Sequence, residues 1–311
     1  MAMQNGNTTT RRRALAAMFG ACTSARLARS DAGRGAPLRL AISESLVQDA
    51  NINDARAAMM TWLKRMEVDL NLIIEFSPKV FETTEEILRR ARAGQFDAVS
   101  LNVVEYRQIA DLLDPSQIIA EDSASGAERY VLLVKRSGGA QRLSELRGRR
   151  LTMLNGNGMC VATPWLSTLL EDGHLGRSDQ FFSSVSTDTK VSRVVLPVFF
   201  GQADACLTSK RGFDTMCELN PQVAREIVAI ATSPAMVMTF NVFRKNYHGA
   251  GREGFLRIYL DLPNNPAGRQ LATLFHFQGL VLRDATCLAP ALAILDAADR
   301  IPSRPGAGGR K

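Results

Sequence analysis

Over residues 38–135 the apolar residues follow two patterns, short continuous runs and helical spacing. Short apolar runs predict strands at residues 38–42, 70–76, 96–101, 118–120 and 129–135. Between them, apolar residues recur at helical spacing over residues 53–66, 81–93 and 103–113. This β-α-β-α-β alternation predicts an α/β fold whose mostly parallel sheet carries helices on both faces.

The same alternation starts again after residue 150. Further strands are predicted at residues 151–154, 180–185, 203–208, 227–231 and 236–243, with an extended segment at 277–282. Further helices are predicted at residues 160–170, 190–200, 213–219, 254–262 and 266–274. At 311 residues the chain is long enough for two domains of ordinary size.

A glycine-containing turn, residues 155–158, separates one predicted strand from the helix after it. Such a junction aims backbone N–H groups and the positive end of a helix dipole at one point, and glycine allows close approach. Asn157 and Gly158 are therefore candidates to bind an anion or polar ligand. Most such turns only reverse the chain, and Val161 stands where a dinucleotide-binding motif needs its third glycine.

Polar residues also follow two strands of the first unit. Ser43 comes after residues 38–42, and Asn102 comes after residues 96–101. Ligands of open α/β sheets bind beyond the carboxyl ends of the strands. We therefore expect both residues to lie on the ligand side of the first sheet.

The formal net charge of +7 first indicates nucleic-acid binding, but its location removes that indication. Ten of the 38 basic residues lie before Pro37 or from Arg300 onward, whereas only one of the 31 acidic residues, Asp31, lies there. The remaining 28 basic and 30 acidic residues leave the folded part slightly acidic. No nucleic-acid partner is expected.

The first 36 residues have the composition of an export signal. An arginine cluster precedes a short apolar run, and the segment Ala25-Arg26-Leu27-Ala28 that follows loosely resembles the A-x-A pattern of a cleavage site. Thr-Arg-Arg-x-x-Leu also resembles a twin-arginine signal, and Cys22 could be acylated as in a lipoprotein. The alternative is an unprocessed, disordered basic tail. Residues 301–311 are also expected to be disordered.

The cysteines and histidines indicate neither a metal site nor a cofactor. Five cysteines lack a C-x-x-C motif and three histidines are widely dispersed. In an exported protein Cys206 and Cys217 could pair, or Cys206 could be a small buried residue. We expect no metal and no cofactor.

Several motifs, in the right order over residues 38–285, carry a family resemblance. Residues 93–99, AGQFDAV, and 200–205, FGQADA, resemble two "G-x-x-D" strands. Residues 130–138, YVLLVKRSG, and 143–151, LSELRGRRL, resemble a return strand and the entry into a second lobe. The chain resembles the type II periplasmic binding proteins, in the phosphate/phosphite/phosphonate (PhnD-like) branch that serves ABC transporters.

The resemblance implies two lobes that close on a ligand by a hinge. Lobe 1 would comprise residues 37–137 and 235–300, and lobe 2 would comprise residues 138–234, with crossovers near 137–139 and 232–234. It implies an exported, non-enzymatic protein that delivers a small anionic or polar ligand to an ABC permease. The membrane would be reached only through the permease or an anchor at Cys22.

The resemblance and the loops together give eight ligand-binding candidates: Ser43, Asn102, Tyr106, Asn157, Gly158, Met159, Thr187 and Ser209. The family's Ser-Thr-Ser-Gly motif is replaced here by residues without hydroxyl groups, near positions 156–160. Asp188 stands near the position of a family histidine and argues against an anion, whereas Lys210 could compensate one. Phosphonate is therefore possible but not indicated.

Three other functions remain open. The protein could be the ligand-sensing subunit of a signalling receptor. It could be an enzyme with Cys160 as nucleophile at a helix N-terminus, although no histidine is placed by sequence to serve it. It could be the effector domain of a transcription regulator, which would need a DNA-binding module before residue 38.

Overall fold

A computed structural model describes residues 36–47, 51–122, 127–138, 140–275, 277 and 279–302. Residues 1–35 of the predicted export signal, with Cys22 and Ala28, and residues 303–311 of the predicted tail lie outside the described residues. Within these ranges no helix is long and apolar enough to cross a bilayer.

The described strands are β1 (Leu38–Ile42), β2 (Ile74–Glu75), β3 (Ala98–Asn102), β4 (Leu113–Glu121), β5 (Tyr130–Lys135), β6 (Arg150–Leu154), β7 (Ser184–Asp188), β8 (Ala205–Ser209), β9 (Ile227–Thr232), β10 (Thr239–Arg244) and β11 (Leu280–Arg283). They form a six-stranded sheet of order β11-β4-β10-β3-β1-β2 and a five-stranded sheet of order β7-β6-β8-β5-β9. The predicted two-sheet α/β architecture is confirmed.

The described α-helices are α1 (Ile52–Leu70), α2 (Thr84–Arg92), α3 (Val103–Arg107), α4 (Ala162–Asp172), α5 (Ser178–Phe181), α6 (Val191–Phe199), α7 (Lys210–Leu219), α8 (Pro221–Glu226), α9 (Gly251–Leu260), α10 (Pro266–Leu274) and α11 (Ala289–Asp299). Capping side chains set several of the starts. Asn51 caps α1, two residues earlier than the predicted Asn53, and Thr83 caps α2.

The sheets are mixed rather than mostly parallel. Pairs are parallel between β1 and β2, β1 and β3, β6 and β7, and β6 and β8. The pairs that involve β4, β5, β9, β10 or β11 are antiparallel. The reason is that β5 and β10 enter their sheets from the other lobe. They start at the edge where the parallel strands end, and so run in the opposite direction.

The pairing of β5 corrects the predicted position of the first crossover. β5 lies in the range predicted for lobe 1, yet it pairs with β8 and β9 of the second sheet. The chain therefore crosses between β4 and β5 rather than near residue 137. At the crossings the backbones of Glu128 and Met236 exchange hydrogen bonds, with N···O distances of 2.9 and 2.8 Å.

Several regions differ from the predicted elements: for example, the helix predicted at residues 103–113 ends at Arg107, and α8 lies where no helix was predicted. The strand predicted at residues 180–185 is wrong in its first half, where the chain is helical. Phe181 and Phe182 are both buried, and a strand with one exposed face cannot bury successive side chains. No element was predicted after residue 282, where α11 packs against α3 of the first lobe and α4 of the second.

The aspartates of the two "G-x-x-D" motifs have the same structural role. Asp97 Oδ2 accepts hydrogen bonds from the backbone N and the Nε of Arg39, both at 3.0 Å. Asp204 Oδ2 accepts from the backbone N and the Nε of Arg150 at 2.9 and 3.0 Å. Both pairs join neighbouring parallel strands where those strands begin, away from the predicted ligand edge. The motif therefore stabilises the sheet in each lobe.

Candidate functional site

A buried polar cluster lies at the carboxyl ends of β1 and β3 in the first lobe. The carboxylate of Glu105 accepts hydrogen bonds from the hydroxyls of Ser43 at 2.6 Å, Thr84 at 2.7 Å and Ser45 at 3.1 Å. The Nδ2 group of Asn102 donates to Ser45 Oγ at 3.1 Å. The structure thus places the predicted residues Ser43 and Asn102 in one network.

Glu105 is the centre of this cluster, and the sequence reading did not select it. It forms a capping box at the start of α3, because Asn102 Oδ1 accepts from the Glu105 N–H and Glu105 accepts from the Asn102 N–H, both at 2.9 Å. The pattern Asn-x-x-Glu after a strand is the signal that would have identified it.

Tyr106 was predicted to contact the ligand, and its side chain is buried in the hydrophobic core. Its ring meets that of Phe240 edge-on, with centroids 5.4 Å apart. Burial raises the pKa of its phenol above the ordinary value. The ring therefore packs β10 against α3, and a ligand contact by Tyr106 stays a prediction.

The glycine turn of the second lobe is held by a tyrosine that was not among the candidates. Asn157–Met159 form one turn of 3₁₀ helix before α4. The phenol of Tyr130 donates to the carbonyl oxygen of Gly158 at 2.8 Å and accepts from the N–H of Val161 at 3.4 Å. Burial raises the pKa of Tyr130 well above its ordinary value, so the phenol remains a donor.

Gly158 leaves space beside the turn because it has no side chain, and its backbone conformation is one that other residues also adopt. A Cβ atom added there would meet only the Glu128 carboxylate, at 4.0 Å, and the φ angle lies outside the left-handed region. A side chain at this position would therefore extend into open space beside the turn. Met159 is buried in the core that both lobes share.

The polar cluster and the glycine turn face each other across the lobes. The 3₁₀ turn Glu44–Val47, which follows Ser43, contacts Asn157–Met159. β8, which ends at Ser209, also contacts the Asn157–Met159 turn. The charge of Glu105 raises the pKa of Cys160, in the segment directly after the turn, which likewise places the two regions close together. We call the region between Ser43, Asn102, Glu105, Gly158 and Met159 the cleft site.

The remaining two predicted residues lie at strand ends of the second lobe. The side chain of Thr187 is exposed on the edge strand β7. Ser209 caps α7, because its hydroxyl accepts from the N–H of Gly212 at 3.1 Å. Neither side chain belongs to the network around Glu105, and their contact with a ligand stays a prediction.

Charged groups near the cleft site are paired within the protein. Asp188 accepts from the Lys190 N–H at 2.9 Å and lies 3.6 Å from Arg193. Lys210 pairs with Asp214 at 2.5 Å. Arg211 of α7 reaches Glu121 of the first sheet at 3.2 Å, so one ion pair connects the lobes. Burial raises the pKa of Glu128, which lies next to this ion pair.

Cys160 lacks the properties of a nucleophile. Burial, together with the charge of Glu105, raises the pKa of its thiol to about 12. A nucleophilic cysteine needs a thiolate at neutral pH. The other described cysteines are free as well, so Cys206 and Cys217 do not pair. Within the described ranges, no group of three or more His, Cys, Asp or Glu residues is arranged to hold a metal.

Comparison with solved structures shows the same fold at low sequence identity. A binding protein component of an ABC phosphonate transporter from Pseudomonas aeruginosa is 12% identical, with 85% of this chain and 87% of that chain covered and a TM-score of 0.55. PhnD1 from Prochlorococcus marinus, solved with methylphosphonate, is 14% identical, with 85% and 98% covered and a TM-score of 0.54. A Xanthomonas citri protein solved with chloride ion is 16% identical, with 85% and 98% covered and a TM-score of 0.57.

The sequence comparisons identify the family. A search of curated proteins finds no match. Residues 47–286 match the family described as "ABC transporter, phosphonate, periplasmic substrate-binding protein", and this range is more than half of the chain. The resemblance inferred from the motifs is thereby confirmed. The chain belongs to the periplasmic substrate-binding proteins of ABC phosphonate transporters.

Proposed function

We propose that this protein is an exported solute-binding protein that captures a small anionic or polar ligand in the cleft site and delivers it to an ABC permease. The observation that carries the proposal is the contact between Glu44–Val47 of the first lobe and Asn157–Met159 of the second. It brings the polar cluster around Glu105 opposite the glycine turn. A ligand between them would contact both lobes and would favour the closed form.

Two features support an anionic group on the ligand. Val161, the N-cap of α4, provides no side-chain hydrogen bond to the helix, so the first turn has no capping side chain that would compete with an anion. Asp188, which argued against an anion, already accepts a backbone N–H and has Arg193 as a counter-charge. The structural relatives solved with methylphosphonate, chloride and ATP also hold anions.

The protein is proposed to bind without catalysis. The raised pKa of Cys160 keeps this residue protonated at neutral pH, which opposes the thiol-enzyme alternative. Export by the Sec or twin-arginine route, with cleavage after Ala28 or acylation of Cys22, remains part of the proposal. Mass spectrometry of the native mature N-terminus tests it, and a chain that starts at Met1 or Ala2 in the cytoplasm contradicts export.

The binding site is tested with the Gly158→Val variant. Because the backbone conformation tolerates a side chain there, the fold should survive while the added side chain occupies the cleft. Calorimetric titration with methylphosphonate and with inorganic phosphate should show binding by the wild type and at least about tenfold weaker binding by the variant, a free-energy change of roughly 1.4 kcal/mol. Gly138→Val, in the 3₁₀ turn Arg136–Gly138 that follows β5, is the matched control and should bind normally.

Two further outcomes refine this test. If Gly158→Val binds as the wild type does, the site lies away from the turn. If neither anion binds, mass spectrometry of the ligand released from native protein identifies the ligand class.

Small-angle scattering should show a smaller radius of gyration with ligand, and an unchanged radius at saturation contradicts closure. Loss of ligand uptake on deletion of the protein indicates transport, whereas unchanged uptake indicates sensing.

A further inference from the structure

An ion pair links the two sheets beside the cleft site. The Nη2 atom of Arg211, in the first turn of α7, lies 3.2 Å from the Oε2 atom of Glu121, the last residue of β4. The Arg211 side chain is 40% exposed, and that of Glu121 is 21% exposed. The pair is therefore partly shielded from water, and its attraction is stronger than that of a fully exposed pair.

Both residues lie at the sheet edges that meet in the cleft site. β10 runs antiparallel to β3, and β4 runs antiparallel to β10, so β4 ends at the same edge as β3, the edge that carries Asn102. β8 runs parallel to β6, so α7, which follows β8, begins at the edge that carries the glycine turn. Arg211 and Glu121 therefore contact each other across the cleft.

A second carboxylate, that of Glu128 at the first crossing between the lobes, lies next to Arg211. Burial raises the pKa of Glu128, while the positive charge of Arg211 and a hydrogen bond from the Arg211 N–H oppose this rise. The charge of Glu121 is close enough to raise the same pKa further. Arg211 thus balances two carboxylates, one on the first sheet and one beside Gly158 of the glycine turn.

Opening of the lobes must separate Arg211 from Glu121. Rotation about the crossings moves the facing edges of the two sheets apart, and the two residues stand on opposite edges. The open form therefore lacks their attraction, so the ion pair favours the closed form. Only the closed form contacts a ligand with both lobes, and a smaller closed fraction lowers the apparent affinity in proportion.

We propose that Arg211 is a positioning residue for ligand binding: through its ion pair with Glu121 it holds the lobes closed, and it sets the affinity without touching the ligand. This inference rests on the proposed function, because it takes the cleft site as the place where a small anion binds. The other role for an arginine beside such a site is direct pairing with the anion. The two roles predict opposite effects of removing the Glu121 carboxylate.

Glu121→Gln separates the two roles. If Arg211 acts through closure, this change breaks the ion pair and weakens methylphosphonate binding by about two- to fivefold, the range for a partly exposed pair. If Arg211 instead pairs with the anion, removal of the competing carboxylate strengthens binding. Calorimetric titration at fixed salt concentration measures the change, and unchanged or tighter binding would overturn the proposal.

Arg211→Gln and the double variant complete a mutant cycle. Arg211→Gln should weaken binding at least as much as Glu121→Gln does, because Glu121 and Glu128 then repel each other without a cation between them. The double variant should bind no more weakly than Arg211→Gln, because no ion pair is left to break. Losses that multiply in the double variant would show that the two residues act independently, and would contradict the proposal.

The matched control is Lys135→Gln, which removes the same charge from the second lobe. Lys135 of β5 pairs with Glu226 of α8 at 3.4 Å, so this ion pair lies within one lobe. The control should keep the wild-type affinity and dissociation rate, whereas Arg211→Gln should release methylphosphonate faster. Equal losses of affinity in Lys135→Gln and Arg211→Gln would assign the effect to net charge and contradict the role of the ion pair.

Small-angle scattering of the ligand-free proteins tests closure separately from the choice of ligand. Arg211→Gln should have a larger radius of gyration than the wild type, because more of its molecules are open, and Lys135→Gln should match the wild type. If the wild type binds neither methylphosphonate nor inorganic phosphate, the proposed ligand class fails but this comparison still decides the role of Arg211. Equal radii for the wild type and Arg211→Gln would then overturn the proposal.

Discussion

The phenolic oxygen of Tyr130 lies 2.8 Å from the carbonyl oxygen of Gly158, and this hydrogen bond joins the first residue of β5 to the glycine turn. Tyr130 is the point at which the chain enters the second sheet from the first lobe. The Ser233 Oγ atom accepts from the Tyr130 N–H at 2.8 Å, so the second crossing is attached to the same residue. Tyr130 therefore links both crossings to the turn proposed to bind ligand.

Tyr130→Phe tests this link. Removal of the hydroxyl leaves the buried ring in place but removes the donor to Gly158, so we expect the free energy of unfolding to fall by about 1–3 kcal/mol. Ligand affinity should fall as well, because the turn loses its fixed position. Urea unfolding and calorimetric titration measure the two effects. For the unfolding measurement Tyr106→Phe is the matched control, since no hydrogen bond of its hydroxyl is found among the described residues. A larger fall in the free energy of unfolding for Tyr106→Phe than for Tyr130→Phe would contradict the role of Tyr130.

Glu105→Gln tests the polar cluster. The amide cannot accept from three hydroxyls and a backbone N–H as the carboxylate does, so we expect a loss of about 1–3 kcal/mol in the free energy of unfolding. The matched control is Glu86→Gln, in the more exposed capping box that Thr83 and Glu86 form at α2. Its effect should be smaller, at most about 1 kcal/mol. Chemical denaturation of both variants gives the comparison, and equal losses would show that burial of the cluster adds nothing.

The cysteines should differ in their rates of alkylation. Burial raises the pKa of Cys160 to about 12 and that of Cys206 still further, whereas Cys217 is only partly buried. At pH 7.5, a condition chosen for the experiment and about one unit below the usual thiol pKa, iodoacetamide should modify Cys217 well before Cys160 or Cys206. Peptide mass spectrometry after timed labelling measures this order. Rapid labelling of Cys160 would revive the thiol-enzyme alternative.

The pair of Asp204 and Arg150 should contribute to stability in a pH-dependent way. The Arg150 hydrogen bonds hold the pKa of Asp204 below its ordinary value of 3.8, so the folded state favours the carboxylate. The contribution is complete above the ordinary pKa and is lost as the pH falls through the lower pKa of the folded state. Asp204→Asn should therefore be less stable than the wild type at pH 7, with a difference that narrows below about pH 4. Thermal unfolding across this range measures the difference, and a constant difference would exclude the charge as its cause.

The sequence by itself determined the α/β class, most of the strands and helices, and the family. These follow from local patterns: β1 and α10 were predicted with the bounds that the structure has, because apolar spacing and turn residues act over a few positions. The "G-x-x-D" motifs could also be recognised locally. Their role in holding Arg39 and Arg150 needed the tertiary structure, since each pair joins residues more than 50 positions apart.

Only the tertiary structure decided which sheet receives β5 and what surrounds the candidate site. An apolar strand such as Tyr130–Lys135 fits the centre of either sheet, and its partners β8 and β9 come later in the chain. Glu105 and Tyr130 were not selected because their importance depends on Ser43, Thr84 and Gly158, which are distant in sequence. Because these polar side chains are buried, their hydrogen bonds hold them in fixed positions in the site. Their burial depends on contacts between the lobes, which local sequence patterns do not encode.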